Sequence, residues 1–500
     1  MRMKLKHLLP IAAMIAFAAC SKDDKNPETA EDPATFDEIG TIDIGGAGAA
    51  EISAYDPATK RLFVVKNDGT NMIKILNLAD PAHPVDLNQD VLTNSGAVNS
   101  LAVHNGKLAA AIEATDKTLP GRVVVYNTEN MSVLKTIPTG ALPDMVTFSP
   151  DGKFILTANE GEPATDYSAD PIGTVSVISV DNNYSVVNLD FNGFAGQETA
   201  LKAKGFRVFG PTGFAQNIEP EYITVAPDSK TAWVTLQENN AIAKIDLATK
   251  TITDIFPLGF KDYNTDANAV DLSDKDNTIT FSKSPVKGMY QPDAVAVLQN
   301  GAGIPYLFTV NEGDVREWDA YAENVRIKDL QLDPTAFPNA AALKADAALG
   351  RLYVTKTLGD LNSDGLYESL YSFGARSFSV WNGNTGALVF DSKNELDVKV
   401  KETGIYEDGR SDDKSIEPEG ITLGTMGNKT IAFVGMERVD AVAIYDVTSP
   451  AAPVFLKIVK SGDAPEGVLF VDAKNSPNKK SLLIVSSEDD GVIKIYAPKN

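Results

Sequence analysis

The sequence predicts an all-β protein, a single seven-bladed β-propeller, on three observations. A phrase built from a Pro-acid pair, a short β run, a turn, a second β run ending in an acid and a third β run occurs seven times, in full or degenerate form. Where nothing interrupts them, the copies lie 48, 45 and 47 residues apart, the length of a blade of a few short strands. The strand-like stretch Glu38 to Ile44 (EIGTIDI) has no partner in its own repeat, whereas the last repeat ends after three strands. Supplied as the outer strand of the last blade, it closes the ring and removes an exposed sheet edge.

In chain order, Arg2, Lys4, Lys6 and His7 precede an apolar run from Leu8 to Ala19. That run is too short to span a bilayer and is laid out as a secretory signal. The ending Phe-Ala-Ala-Cys resembles a bacterial lipobox, so Cys20, the only cysteine, is expected to be the lipidated first residue after a leader of residues 1–20. The Ser-Lys-Asp-Asp-Lys that follows resembles a surface-export tag. An exported outer-membrane lipoprotein, exposed at the cell surface and touching the membrane through its lipid alone, is the expectation. Residues 21–35 are polar and acidic, the composition of a disordered tether, and the propeller is expected over 36–500. The formal charge of −23 becomes −26 without the leader, which argues against nucleic acid as a partner.

The clearest repeat is Ile218 to Asp246, and its grammar returns at Ile416 to Asp446 and Asp463 to Tyr496. Weaker copies lie at Leu142 to Glu162 and Gln291 to Asp314, and degenerate ones at Ala50 to Gly69 and Asn99 to Ala114. The acid after each Pro, or its equivalent, falls at Glu51, Asn99, Asp144, Glu221, Asp293, Glu419 and Glu466. Three of the gaps are long, at 77, 72 and 126 residues. The largest insertion is expected at about 311–375, with residues 340–348 helix-prone. Long insertions on a rigid scaffold are usually functional loops.

A second acid follows the second strand of each repeat, at Asp68, Glu113, Glu160, Glu238, Glu312, Glu437 and Glu488. In a propeller the inner strand starts, and the second strand ends, on one face. The two registers are therefore expected to converge on one mouth of the central channel, where like charges need compensation. Three roles stay open for them: accepting hydrogen bonds that hold blades together, binding a hard cation, or acid-base catalysis. Candidate ligand-binding residues are Glu160, Glu162, Glu221, Glu238, Glu312 and Asp314, with Glu419, Glu437 and Glu466. Arg316, Arg376 and Arg438 join them because bidentate guanidinium groups suit phosphate or carboxylate ligands, although internal ion pairing competes for each.

The sharpest local signal is Gly359 to Leu370 (GDLNSDGLYESL). Asp360, Asn362 and Asp364 alternate, Gly365 permits a tight turn, and Glu368 follows, as in the first half of a calcium loop. Tyr371 stands where an EF-hand has Glu, and no flanking helix pair is evident. Calcium is the cofactor this suggests. With His7 in the leader, only His83 and His104 remain, so a His-based zinc site or a Ser-His-Asp relay lacks its parts.

The phrases LPDMVTFSPDGKFILTANEGEP, YLFTVNEGDVREW, LGDLNSDGLYESLYSFGARSFSVWNGNTGALVFDS and SIEPEGITLGTMGNKTIAFVGMERVDAVAIYDV resemble the choice-of-anchor I domain proteins, also called mesenchyme-specific cell surface glycoprotein-like. The resemblance covers about residues 36–498 and implies a seven-bladed, exported propeller. It also brings an alkaline phosphatase label without a residue-level mechanism. The leading expectation is a calcium-binding surface propeller that takes an unidentified small-molecule or protein ligand at its acid-lined mouth. The alternative is a metal-dependent phosphoesterase, alkaline phosphatase- or phytase-like, with carboxylate-bound cations and Arg316, Arg376 or Arg438 clamping phosphate. Catalytic residues are not identifiable from the sequence.

Overall fold

A computed structural model of the chain describes residues 31–93 and 95–499; the leader, Cys20 and most of the expected tether lie outside them. Seven sheets of antiparallel strands follow one another along the chain. Their innermost strands are Ala49–Asp56, Val98–His104, Pro143–Phe148, Pro220–Val225, Val295–Gln299, Pro418–Met426 and Pro465–Val471. Each inner strand lies against the next, and the last lies against the first. Seven buried apolar clusters fill the spaces between neighbouring sheets, one of them between sheets 7 and 1. The protein is a β-propeller.

Face-to-face packing explains why the sequence reads as short apolar runs and not as clean alternation. Middle strands such as Arg61–Lys66 and Leu482–Ser487 are buried on both faces, whereas an outer strand such as Thr251–Pro257 is largely solvated. The strand expected at Glu38–Ile44 spans Phe36–Asp43 and pairs antiparallel with Val492–Pro498, completing sheet 7. The end of the expected tether is ordered against this seam: Glu31 accepts from Ser481 N at 2.8 Å and Oγ at 2.6 Å. Pro33–Thr35 forms a short 3-10 turn.

Connections leaving the ends of the second and fourth strands emerge on the same face as the starts of the inner strands. Every long insertion among the described residues is there, at 160–173, 190–219, 258–294, 311–377 and 392–417. Two of them, separate in sequence, build one cap sheet in the order Phe260–Asp262, Lys287–Met289, Tyr371–Ser372, Tyr353–Thr355, Asn324–Arg326. Its own core includes Tyr263, Leu272, Ile327, Leu352 and Leu370. Of the helix-prone 340–348 only Ala340–Leu343 is α-helical. A longer helix that the sequence reading missed, Glu395–Thr403, buries Leu396 and Val400 against sheets 5 and 6.

Candidate functional site

The mouth is built by a backbone device repeated around the ring. In six sheets the pairing of inner and second strand slips at the marker residue, bracketing Glu51, Asn99, Asp144, Glu221, Glu419 and Glu466. A bulge of this kind takes one residue out of the ladder and re-aims its side chain. The residue entering the strand is left-handed at Ala50, Leu142, Gln291, Glu417 and Ala464, with φ from 43° to 64°. Such non-glycine conformations cost of order 1 kcal/mol each and cluster at functional sites.

Five of the seven markers line a throat on the propeller axis. Glu51, Asn99, Asp144, Asp293 and Glu466 surround a cavity of about 50 Å³, and Ile52, Met145, Tyr222, Ile421 and Val468 form its apolar part. Burial, and then mutual repulsion, push Glu51, Glu221, Asp293, Glu419 and Glu466 well above the usual carboxylate range. Asp144 moves up to about 7 for the same reasons, with Glu162 and Glu113 as the neighbouring charges. The Oε2 atoms of Glu221, Glu238, Glu419 and Glu466 are buried without a hydrogen-bond partner. Holding blades together through backbone amides is therefore not what these oxygens do.

The acids at the ends of the second strands form a tier above the throat, and three of the seven, Asp68, Glu312 and Glu437, are paired with a cation. Lys414 Nζ lies 2.5 Å from Glu312 Oε1 and 3.9 Å from both Asp314 and Glu417. Gln237 Nε2 donates to the other Glu312 oxygen at 2.7 Å. Burial works to lower Lys414, but Glu312 and Glu417 overcome it and hold the ammonium above its ordinary range. Glu417, wholly buried, also pairs with Arg410 and with Arg438 Nε at 2.6 Å. Arg438 reaches Glu437 at 2.8 Å. Burial and the neighbouring Glu417 nonetheless push Glu437 up to about 8. Lys117 pairs with Glu162, and Glu160 stays among acids, raised by burial and by Asp144.

The three candidate arginines part company. Arg316 is buried, donating to Glu219 Oε2 at 3.0 Å and to Asn217 Oδ1 at 3.0 Å. Its guanidinium lies 4.7 Å from the Phe209 ring, and Arg207 lies 4.3 Å from the same ring. Arg376, 1% exposed, does not reach the mouth. It donates to the backbone carbonyls of Asp271, Ser411 and Asp413 and pins the 404–417 segment to the cap. Only Arg438 is partly open at the rim, and Asp314, with its side chain 56% exposed, lies near Lys414.

Sequence reasoning passed over Glu219 and Glu417, the acids before the prolines, together with Lys414 and Tyr222. The doubled Ile-Glu-Pro-Glu at 218–221 and 416–419 was the available signal. The expected calcium loop is brought together in part: carboxylate oxygens of Asp360, Asp364 and Glu368 lie within 4.8 Å of one another. Asp360 accepts from Asp364 N at 3.1 Å and Gly365 N at 2.9 Å, Glu368 from Leu361 N at 2.8 Å, and Asn362 Oδ1 from Asp364 N at 2.9 Å. Glu312, Glu417 and Glu437 make a second such group, but there Lys414, Arg410 and Arg438 already supply the positive charge. Among the described residues no helix is long and apolar enough to cross a membrane.

Gigasin-3a from Magallana gigas is 28% identical over 192 residues, a match that covers 31% of this chain and 66% of that protein, just under two thirds of its length. The Cps50 (Swd1) β-propeller domain of Myceliophteria thermophila superposes with a TM-score of 0.48 at 8% identity, over 93% of this chain and 100% of that one. Hydrazine synthase of Kuenenia stuttgartiensis superposes at 0.44 and 12% identity, over 91% and 96%. Across residues 51–450 the sequence matches the model of the choice-of-anchor I domain, and the chain belongs to that family.

Proposed function

We propose that the protein is an exported, cell-surface binding module that receives a positively charged ligand at the acid-lined mouth, between the insertions that rise around it. One observation carries this reading: all the long insertions leave from the face on which the carboxylates converge. Scaffolds of this kind place recognition on such loops. Membership of the family supports a surface or exported setting, and a lipid on Cys20 is the anchor we propose.

Calorimetry on the full chain in low salt, with spermidine as a cationic probe, tests the reading. Wild type should bind, and Asp314→Asn with Glu437→Gln should weaken binding at least tenfold. Neutralising Asp151 and Asp228, on turns of the opposite face, should leave it unchanged. Equal losses in both variants would reduce the effect to bulk charge and overturn the reading.

The phosphoesterase alternative has less to stand on, because Arg316 and Arg376 are taken up by internal partners. We expect p-nitrophenyl phosphate to be turned over no faster by wild type than by the Asp314→Asn, Glu437→Gln variant with calcium, magnesium or zinc. Metal-dependent turnover lost in that variant would restore the enzyme.

A further inference from the structure

We propose that the face opposite the mouth is turned toward the membrane surface, so that the anchored protein presents its acid-lined opening to the aqueous side. The inference rests on the lipid anchor proposed above at Cys20 and goes beyond it by giving the ring a direction.

The chain enters the ring on the far face. Inner strands begin at the mouth, so the outer strand Phe36–Asp43, antiparallel to Val492–Pro498, begins at the far face and runs up to the mouth. Several contacts fix that entry point. Glu31 accepts from Ser481, just where the second strand of sheet 7, Leu482–Ser487, starts at the far face. Thr35 Oγ1 donates to Lys499 O at 3.1 Å and accepts from Lys499 N at 3.0 Å. Lys457 donates to the Phe36 carbonyl oxygen.

The reach from anchor to ring is short. Cys20 lies eleven residues before Glu31, a stretch that spans at most about 40 Å when fully extended. The eight residues of Phe36–Asp43 rise about 26 Å from the far face to the mouth. The insertions at 160–173, 190–219 and 311–377 leave from that upper level. With the mouth turned down, the chain would use up most of its reach climbing the outside of sheet 7 before it met the lipid.

Charge favours the same direction. On the far face, lysines at the turns lie beside aspartates: Lys153 is 3.1 Å from Asp151, Lys230 3.9 Å from Asp228, Lys429 3.3 Å from Asp446 and Lys474 3.1 Å from Asp472. These turns are locally neutral. At the mouth, by contrast, the Oε2 atoms of Glu221, Glu419 and Glu466 are without a hydrogen-bond partner among the described residues. Anionic headgroups repel the second face and tolerate the first. A ligand received at the mouth therefore arrives from solution, not from the bilayer.

Cys20 is the only cysteine, and a thioether-linked lipid leaves it no free thiol, so one introduced cysteine takes up all of a maleimide dye. The full chain, made in a host that processes lipoproteins, carries Lys474→Cys or Lys230→Cys on the far face, at sheets 7 and 4, or Asp319→Cys on a mouth-side insertion. All three positions are exposed. The labelled protein is added to preformed phosphatidylcholine vesicles with an acceptor dye on the headgroup. We expect energy transfer from both far-face positions to exceed that from Asp319→Cys about twofold or more. Transfer strongest from Asp319→Cys, equal transfer from all three, or strong transfer from Lys474→Cys with weak transfer from Lys230→Cys, as in a ring standing on edge, overturns the orientation and leaves the anchor in place. Wild type that takes up the maleimide and stays off the vesicles lacks the lipid, and overturns the anchor and the orientation together.

Discussion

Removing one charge from the ring should stabilise the metal-free protein, and Asp144→Asn is the cleanest case. Asp144 is moved from its ordinary 3.8 up to about 7 in the folded chain. The sign follows from linkage: below about pH 4 the group is protonated folded and unfolded alike and makes no difference. As pH rises the unfolded chain ionises first, so the folded state is increasingly penalised until pH passes about 7. At roughly 1.4 kcal/mol per pH unit, a gap of about three units makes the full penalty about 4 kcal/mol at pH 8. Sharing of charge among coupled neighbours makes that an upper figure. Unfolding entropy of about 2.1 cal/mol/K per residue over a chain of this size converts each kcal/mol to about 1 °C. Calorimetry in EDTA should therefore find the Asn variant melting about 2–4 °C above wild type at pH 8 and level with it at pH 4. A variant less stable than wild type at pH 8 in EDTA would refute the reasoning, because it would mean that the carboxylate holds something in the fold.

Lys414→Met should act in the opposite sense, leaving Glu312 without its cation while Glu417 keeps Arg410 and Arg438; a loss of about 3 kcal/mol is expected from urea unfolding. Gly374 has φ 66°, and a Cβ there would lie 2.1 Å from the Glu312 carbonyl oxygen. Gly374→Ala should destabilise by at least about 2 kcal/mol and weaken spermidine binding, because it displaces the strand end that carries Glu312. For the cap loop, Asp360→Asn with Asp364→Asn should abolish calcium protection against proteolysis near residue 361. Equal protection with and without calcium in wild type would remove calcium from that loop.

Much of the architecture is written along the chain. Each repeat must bury both faces of its middle strands, so runs such as Leu62 to Val65 and Ile431 to Val434 mark the strands, and acids just beyond them mark the face. Pairing of Phe36–Asp43 with the last strand was legible for the same reason: an odd strand at one end and a missing one at the other imply closure. Local sequence could not say which acids would be neutralised. Glu312 and Glu221 look alike in the repeat, yet one meets Lys414 from 102 residues downstream, while no cation reaches the other's orphaned oxygen. Nor could it join residues 260–289 to 324–372 as one cap, or send Arg376 to three backbone carbonyls and away from the mouth.

The sequence by itself determined the repeat, the closure and the face on which the acids gather, because these follow from local periodicity and strand direction. Only the tertiary structure decided which carboxylates stand alone. Charge compensation and burial depend on distances across the ring and between insertions, and no spacing along one strand encodes those distances.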